Sequence, residues 1–399
     1  MWDIREAEAY RLLADLIAID STNPSLVPGG AGEQRIAEYI AGYLRDAGFE
    51  SYLDQVQPGR PNVIGLMPAA ATRPTAGGEG SGRNAKHGLI INGHTDTVST
   101  AGMAYEPLIA RRDGDSVHGR GSVDMKGGLV MGLLAMLAVK RAGIKLRRSV
   151  LFAGVVDEEY ASIGSEDVAR RYKASAAIIT EPSGLSLTVA HKGFAWVSVE
   201  SLGKAAHGSR YSEGIDAIAK MGKVLVKVEE LGAAYLRDPG HPLCGHKSIH
   251  ASLVEGGTEL STYPAYCKAQ FERRTLPGED PAGIAAELEG ICEALKQEDP
   301  LFRARVTLDF TRDAYEVCKD QPVVAAIARA FKEVVGQDIG YGGGSGWMDS
   351  ALFGAAGIPT AIFGPGGKGG HSGEEWVSMQ TILTGAEVLA RAIAAFCGD

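Results

Sequence analysis

The sequence predicts an α/β fold in two lobes: a larger one built on a central, mostly parallel sheet, and a smaller βαββαβ lobe inserted into it. Three observations carry this expectation. The runs "NVIGLM", "GLIINGH", "SVLFAGVV" and "AAIIT" are nearly continuous apolar stretches, as expected of strands covered on both faces. Helical patterns alternate with them, which is the rhythm of a layered α/β domain. The chain has 399 residues, more than the roughly 250 to 300 at which a single core stops growing.

In chain order, "MWDIREAEAYRLLADLIAI" mixes charges with apolar residues at helical spacing, Leu12, Leu13, Leu16 and Ile17 sharing one face. It is expected to be a helix, neither a signal peptide nor a membrane span, and the Asn23-Pro24 pair in "STNPS" ends it. "GEQRIAEYIAGYLRDAGFE" is a second amphipathic helix with Ile36, Ile40 and Leu44 at period four. The Ala/Gly/Ser-rich piece from Ala69 to Gly88 is expected to be an exposed loop. "GGLVMGLLAMLAVKRAG" and "EDVARRYK" are helical, and after residue 320 the alternation resumes with "PVVAAIARAFKEVVG", "IPTAIF" and "QTILTGAEVLARAIAAF". Residues 191–309 differ. Their segments "FAWVSVES", "GIDAIAKMGKVLVKVEELG", "KSIHASLV", "YCKAQFERR", "PAGIAAELEGICEALKQ" and "FRARVTLDF" give the order βαββαβ, a split-βαβ antiparallel sheet with two helices on one face. The larger lobe is then 1–190 with 310–399.

Composition narrows the function. A net charge of −9 without long Lys/Arg runs argues against a nucleic-acid or anionic-membrane surface, so the expected partners are small molecules or peptides. The cysteines (Cys244, Cys267, Cys292, Cys318, Cys397) are odd in number and never form a CxxC pair, which suggests neither a disulfide framework nor a thiolate zinc site. A reducing, cytoplasmic location is expected.

Four segments of the larger lobe put acidic or imidazole groups just past an apolar strand or in a loop entering a helix. They are His94 with Asp96, Asp124, the Asp157-Glu158-Glu159 triplet and Glu181; His371 after "IPTAIF" is a fifth. Open α/β sheets bind ligands outside the carboxyl ends of their strands. Carboxylates converging there would repel one another and protonate unless a cation neutralised them. Two histidines with several carboxylates and no thiolate suit zinc, with cobalt or manganese tolerable, and an Asp bridging two ions is the usual arrangement for hydrolysing a carbonyl or phosphoryl group. On an extended segment Glu158 and Glu159 would point to opposite sides, one ligating and one serving as base; spacing alone does not say which. "GPGGKG" matches GxGxxG after a strand, but no helix follows at once, so its glycines are better explained as a turn presenting His371. No GxSxG or GxxxxGK[ST] motif is present.

Together "GHTDTV", "GRGSVDMKGG", "DEEYASIGS", "TEPSG" and "GGHSGEEW" resemble the co-catalytic zinc amidohydrolases and peptidases of the M20 family. This family includes acetylornithine deacetylase, succinyl-diaminopimelate desuccinylase, aminoacylase and glutamate carboxypeptidases. The resemblance implies a phosphorylase/hydrolase-like zinc-peptidase domain with an inserted ferredoxin-like lid or dimerisation domain. It implies two divalent ions, one held by His94, Asp124 and Glu181, the other by Asp124, Glu159 and His371, with Asp124 the bridge. Glu158 would be the general base, and Asp96 the carboxylate orienting His94. In the smaller lobe His207 matches a histidine that stabilises the oxyanion across a dimer or on lobe closure, and Arg274, preferred to Arg273 on motif position, matches an arginine that grips a substrate carboxylate. Two departures concern substrate identity: Ser261-Thr262-Tyr263-Pro264 stands where many members have an Asn-x-x-Pro turn, and Met348-Asp349 keeps only the acid of a Thr-Asp or Ser-Asp pair.

The expected activity is metal-dependent hydrolysis of an amide in an N-acyl amino acid, of the deacylase or desuccinylase type. The alternatives are a carboxypeptidase, aminopeptidase or dipeptidase on small peptides and, more remotely, a non-catalytic binding protein of the same fold. A homodimer through 191–309, and closure about hinges near 191 and 310, follow from the resemblance.

Overall fold

The computed structural model describes residues 2–70 and 86–398, which fall into two compact units. The first is Met1–Val189 with Val317–Gly342 and Met348–Asp399; the second is Ala190–Glu316 with Gly343–Trp347. In chain order the first unit opens with α1 (Glu6–Ala18), α2 (Gln34–Asp46), β1 (Glu50–Gln57), β2 (Arg60–Met67) and β3 (Lys86–His94). There follow β4 (Arg111–Asp113), β5 (Ser116–His118), α3 (Gly127–Arg141), β6 (Val150–Val155), α4 (Ile163–Arg171), β7 (Lys173–Ile179) and β8 (Leu187–His191), which runs into the second unit. That unit holds β9 (Gly193–Leu202), α5 (Ala217–Tyr235), β10 (Ser248–Gly256), β11 (Tyr266–Thr275), α6 (Pro281–Glu298), β12 (Ala304–Arg312) and β13 (Tyr315–Glu316). The chain ends with α7 (Pro322–Val335), β14 (Tyr341–Gly344), α8 (Ser350–Ala355), β15 (Thr360–Ile362), β16 (Gly367–Lys368), β17 (Trp376–Ser378) and α9 (Met379–Cys397).

The main sheet of the first unit runs β1-β2-β6-β3-β7-β15-β8. Its centre is parallel, β3 lying between β6 and β7, with β15 beyond β7. The flanks are antiparallel, so the sheet is mixed rather than mostly parallel. The cause is local: only Pro58 and Gly59 separate β1 from β2, and so short a connection closes an antiparallel hairpin. The expected faces of the first two helices are buried, Leu12, Leu13, Leu16 and Ile17 in α1 and Ile36, Ile40 and Leu44 in α2. Every residue of α3 from Gly127 to Val139 is buried. The stretch Ser122–Arg141 is long and apolar enough to cross a membrane, but all of it from Ser122 to Val139 except Asp124 is buried inside the protein, the place of a core helix. It lies against α9, which packs in turn on α7. A Cβ on Gly128 would overlap the carbonyl oxygen of Thr180, so only glycine lets the start of α3 sit this close to the end of β7.

In the second unit β10-β11-β9-β12 form an antiparallel sheet. Its buried face (Ala195, Val197, Val199, Ala269, Phe271) packs on Met221, Val224 and Val228 of α5 and on Ile284, Leu288 and Leu295 of α6. The element order is βαββαβ. The unit extends past residue 309, where the sequence placed its end, because the β12–β9 ladder continues to the Arg312–Phe194 pair. The loop expected over Ala69–Gly88 lies mostly outside the described residues, and β3 has begun by Lys86. A third, small sheet, β16-β17-β5-β4, was not legible in the sequence.

Candidate metal centre

Parallel pairing aligns the strand ends: His94 stands opposite Val155, and Asn92 opposite Ile179. Three strands therefore release His94, Asp157-Glu158-Glu159 and Glu181 past their C-terminal ends, on one side of the sheet, and β15 leads from the same side toward His371. Asp124 comes from the irregular turn Ser122–Lys126 that feeds α3, in extended backbone (φ −120°, ψ 91°).

The side chains converge. Nε2 of His94 is 3.0 Å from Asp124 Oδ1, 3.5 Å from Glu181 Oε1 and 4.0 Å from Glu158 Oε2. His371 Nε2 is 2.7 Å from Glu159 Oε2 and 3.4 Å from Asp124 Oδ2. The two oxygens of Asp124 thus face two different imidazoles. Among the described residues two triads have ligand atoms within 4.8 Å of one another, His94-Asp124-Glu159 and His94-Glu158-Glu181. They divide the residues differently from the sets implied by resemblance: Glu158 enters a triad, and His371 joins through Glu159 and Asp124.

These residues fit a divalent cation. The Nδ1–H of His94 donates to the Asp96 main-chain carbonyl at 2.9 Å, so in the neutral ring the lone pair of Nε2 faces the carboxylates of Asp124, Glu181 and Glu158. A lone pair among anions needs a proton or a metal between them. Glu159 Oε1 is buried without a hydrogen-bond partner among the described residues, and a Cβ on Gly370 would come within 3.0 Å of Asp124 Oδ2. The electrostatics carry the same strain. Burial, then the proximity of Glu181, pushes the Glu158 carboxyl well above its ordinary range; burial also raises Glu181 and Glu159. Burial opposes protonation of His94, yet Glu181, Asp124 and Glu158 raise it well above the usual imidazole value. His371, 57% exposed, is pushed up to about 10 by Asp124 and Glu159.

One expectation is corrected. Residues 158–160 form a turn, not an extended segment, and Asp157 sits at φ 69°; alternation therefore does not separate the glutamates, and both carboxylates reach the cluster. The ring of His94 bonds the main chain of Asp96, whose carboxylate Oδ1 stands 3.6 Å from the same nitrogen. That carboxylate accepts instead from the Glu158 and Glu159 N–H groups, each at 3.2 Å, and from Asn23 Nδ2 at 2.8 Å.

His207 and Arg274 belong to the second unit. His207 is an exposed loop residue, its Nδ1 paired with Ser209 Oγ at 2.8 Å. The Ser261 carbonyl accepts from Gly208 N–H at 2.7 Å, which ties the Ser261-Pro264 turn to the His207 loop. Arg274 bonds Glu272 at 2.7 Å and stacks over Phe194. Arg273 is 1% exposed and engaged with Glu279 and Tyr235 in the interior, which removes it as a substrate ligand.

Sequence reasoning missed Glu375. Buried at the start of β17, it accepts from Arg120 Nη1 (2.7 Å) and from the N–H groups of Gly121 (2.9 Å), Val123 (2.9 Å) and Asp124 (3.1 Å). It holds the turn that presents Asp124. Asp349 was noted only as half of a pair; it is buried, accepts from Ser165 Oγ at 2.5 Å, and burial pushes it up to about 6.

The comparisons with known proteins agree with this architecture. The chain is 28% identical over 399 residues to an acetylornithine deacetylase of Myxococcus xanthus, covering 97% of each chain. Its structure is similar to that of the aminopeptidase PepT from Bacillus cereus (TM-score 0.76, 19% identity, 98% and 99% coverage). It is also similar to YXEP of Bacillus subtilis, described as a dinuclear metal binding peptidase from the M20 family (TM-score 0.71, 14% identity, 98% and 97% coverage). Residues 90–395 match the family described as Peptidase family M20/M25/M40, and the chain belongs to it.

Proposed function

We propose that this chain hydrolyses the amide bond of an N-acyl amino acid with the help of two divalent ions, zinc first among them. The observation that carries this is the convergence of His94, Asp124, Glu158, Glu159, Glu181 and His371 past the C-terminal ends of the central strands. The full-length likeness to an acetylornithine deacetylase supports an acyl amino acid as substrate. Ions held by His94, Asp124, Glu159, Glu181 and His371 would polarise the scissile carbonyl and lower the pKa of a water from 15.7 to about 7.

Glu158 is the base. Its carboxyl is buried among acidic neighbours that raise its proton affinity, so it can take a proton from the attacking water and give it to the departing nitrogen. Asp96 fixes the main chain of both glutamates. His207 and Arg274 enter through the family resemblance, as oxyanion donor and as partner of a substrate carboxylate; His207→Ala is then expected to cost about 10²- to 10³-fold in kcat. A peptidase acting on short peptides is the second reading, favoured by the structural likeness to PepT.

The test is amine release from N-acetyl, N-succinyl and N-formyl amino acids and from dipeptides, with added zinc, cobalt or manganese. Release from acylated amino acids but not from dipeptides supports deacylation, and the reverse supports a peptidase. Substitution Glu158→Gln is expected to leave metal content intact and lower kcat by about 10²- to 10⁴-fold; full turnover in that variant would remove Glu158 from the chemistry.

A further inference from the structure

We infer that Asn23, locked by Arg60 and Glu33, is a positioning residue for the Glu158–Glu159 turn, acting through Asp96 and Asp157 on the aim of both glutamates. Asn23 lies fully buried just after α1, in a segment whose sequence suggested only a helix stop. Its Nδ2 donates to Asp96 Oδ2 at 2.8 Å and to Asp157 Oδ1 at 3.2 Å. Its Oδ1 accepts from Ser25 N–H at 2.8 Å and from Arg60 Nη2 at 3.2 Å. One end of the amide thus meets only donors and the other only acceptors, so the group cannot turn over without losing every bond.

Arg60 is anchored in turn. Nε donates to Glu33 Oε2 at 2.8 Å, Nη2 to Glu33 Oε1 and, at 2.8 Å, to Asp157 Oδ1, and Nη1 to Ser25 Oγ at 2.6 Å. This buried cation serves the carboxylates of Glu33 and Asp157, while Asn23 carries the restraint on to Asp96. The bonds end at a place that needs holding. Asp157 is a non-glycine residue at φ 69°, a conformation that persists only where its surroundings impose it. The next two N–H groups, those of Glu158 and Glu159, are taken by the two oxygens of Asp96. Asp157 and Asp96 therefore hold the turn from both sides, and the Asn23 amide joins them. Partners behind metal ligands typically govern metal affinity by about 10- to 100-fold.

The inference rests on the metal-dependent hydrolysis proposed above, and zinc affinity tests it without any substrate. Full-length wild type, Asn23→Ala, Arg60→Lys and Tyr172→Phe would be titrated with zinc alone against a chelating indicator, with Tm recorded for each. Arg60→Lys keeps the buried charge but loses the guanidinium fork. Tyr172→Phe is the control, since its hydroxyl bonds Asp54 and Tyr52 and none of the cluster. Asn23→Ala is expected to weaken zinc binding about 10- to 100-fold, while Tyr172→Phe, whatever its Tm, binds as wild type does. Wild-type affinity in a folded Asn23→Ala would overturn the inference, as would an equal loss in Tyr172→Phe. Should Asn23→Ala not fold, Arg60→Lys decides: weakened zinc supports the positioning role and unchanged zinc refutes it. A wild-type chain that bound no zinc would overturn the hydrolytic proposal and this one with it.

Discussion

Glu375 shows what one side chain contributes to this site. Its carboxylate is buried, faces the Arg120 guanidinium and receives three main-chain N–H groups around Asp124. Glu375→Gln removes the counter-charge and turns an NH₂ toward donors, so it leaves a buried arginine without its anion. The expected cost is about 3 to 5 kcal/mol, read as a lower urea midpoint at unchanged m-value. His94, Glu158, Glu159 and Glu181, which the structure brings together, were legible as candidates because acidic and imidazole side chains stand just past apolar strands. Glu375 was not, since an acid beside another acid in a glycine-rich loop has no periodicity to mark it. Asn23 and Arg60 were hidden for another reason: the Asn23 amide finds its partners 73 and 134 residues further along the chain.

At the scale of elements, the close approach of α3 to β7 fixes Asp124 relative to Glu181. Gly128→Ala would drive a methyl into the Thr180 carbonyl, a main-chain group that cannot swing aside. Overpacking of this kind costs typically about 1 to 3 kcal/mol, and the midpoint of urea unfolding measures it. The long apolar elements were legible for the physical reason that their burial is continuous. The strand β1, "ESYLDQVQ", was not, because it is a polar edge strand with little buried surface, and β4, β5, β16 and β17 are too short to show any period. The Glu158–Glu159 turn was misjudged as extended because nothing local announces a left-handed aspartate.

The end of β8 carries a pH dependence. Burial depresses the His191 imidazole to about 4 from its ordinary 6.5. Above pH 6.5 the ring is neutral folded or unfolded. As pH falls from 6.5 toward 4 only the unfolded chain takes up the proton, so stability is lost across that window and not above it. The shift corresponds to about 3 kcal/mol. Relative to wild type, His191→Gln should show a loss smaller by that amount between pH 6.5 and 4 in urea unfolding followed by circular dichroism; parallel curves would place the ring in water.

At the scale of the whole molecule, the cluster of carboxylates and imidazoles joins segments from both sides of the inserted second unit. The Glu158, Glu159 and Glu181 carboxyls resist ionisation beside one another, so a metal bound among them would add stability as any ligand of the folded state does. A chelator is expected to lower Tm and zinc to restore it, the ion adding about 2.7 kcal/mol of stability at a hundredfold excess over Kd. Scanning calorimetry before and after chelation checks this, and an unmoved transition would mean that no ion resides there.

His94, Asp124, Glu158, Glu159 and Glu181 all precede Ala190, whereas His371 and Glu375 follow Glu316. During translation the residues that precede Ala190 thus wait while residues 190–316 are synthesised, and His371 joins them only after that. If the cluster takes up the ions proposed above, it can do so fully only after the inserted unit has been made.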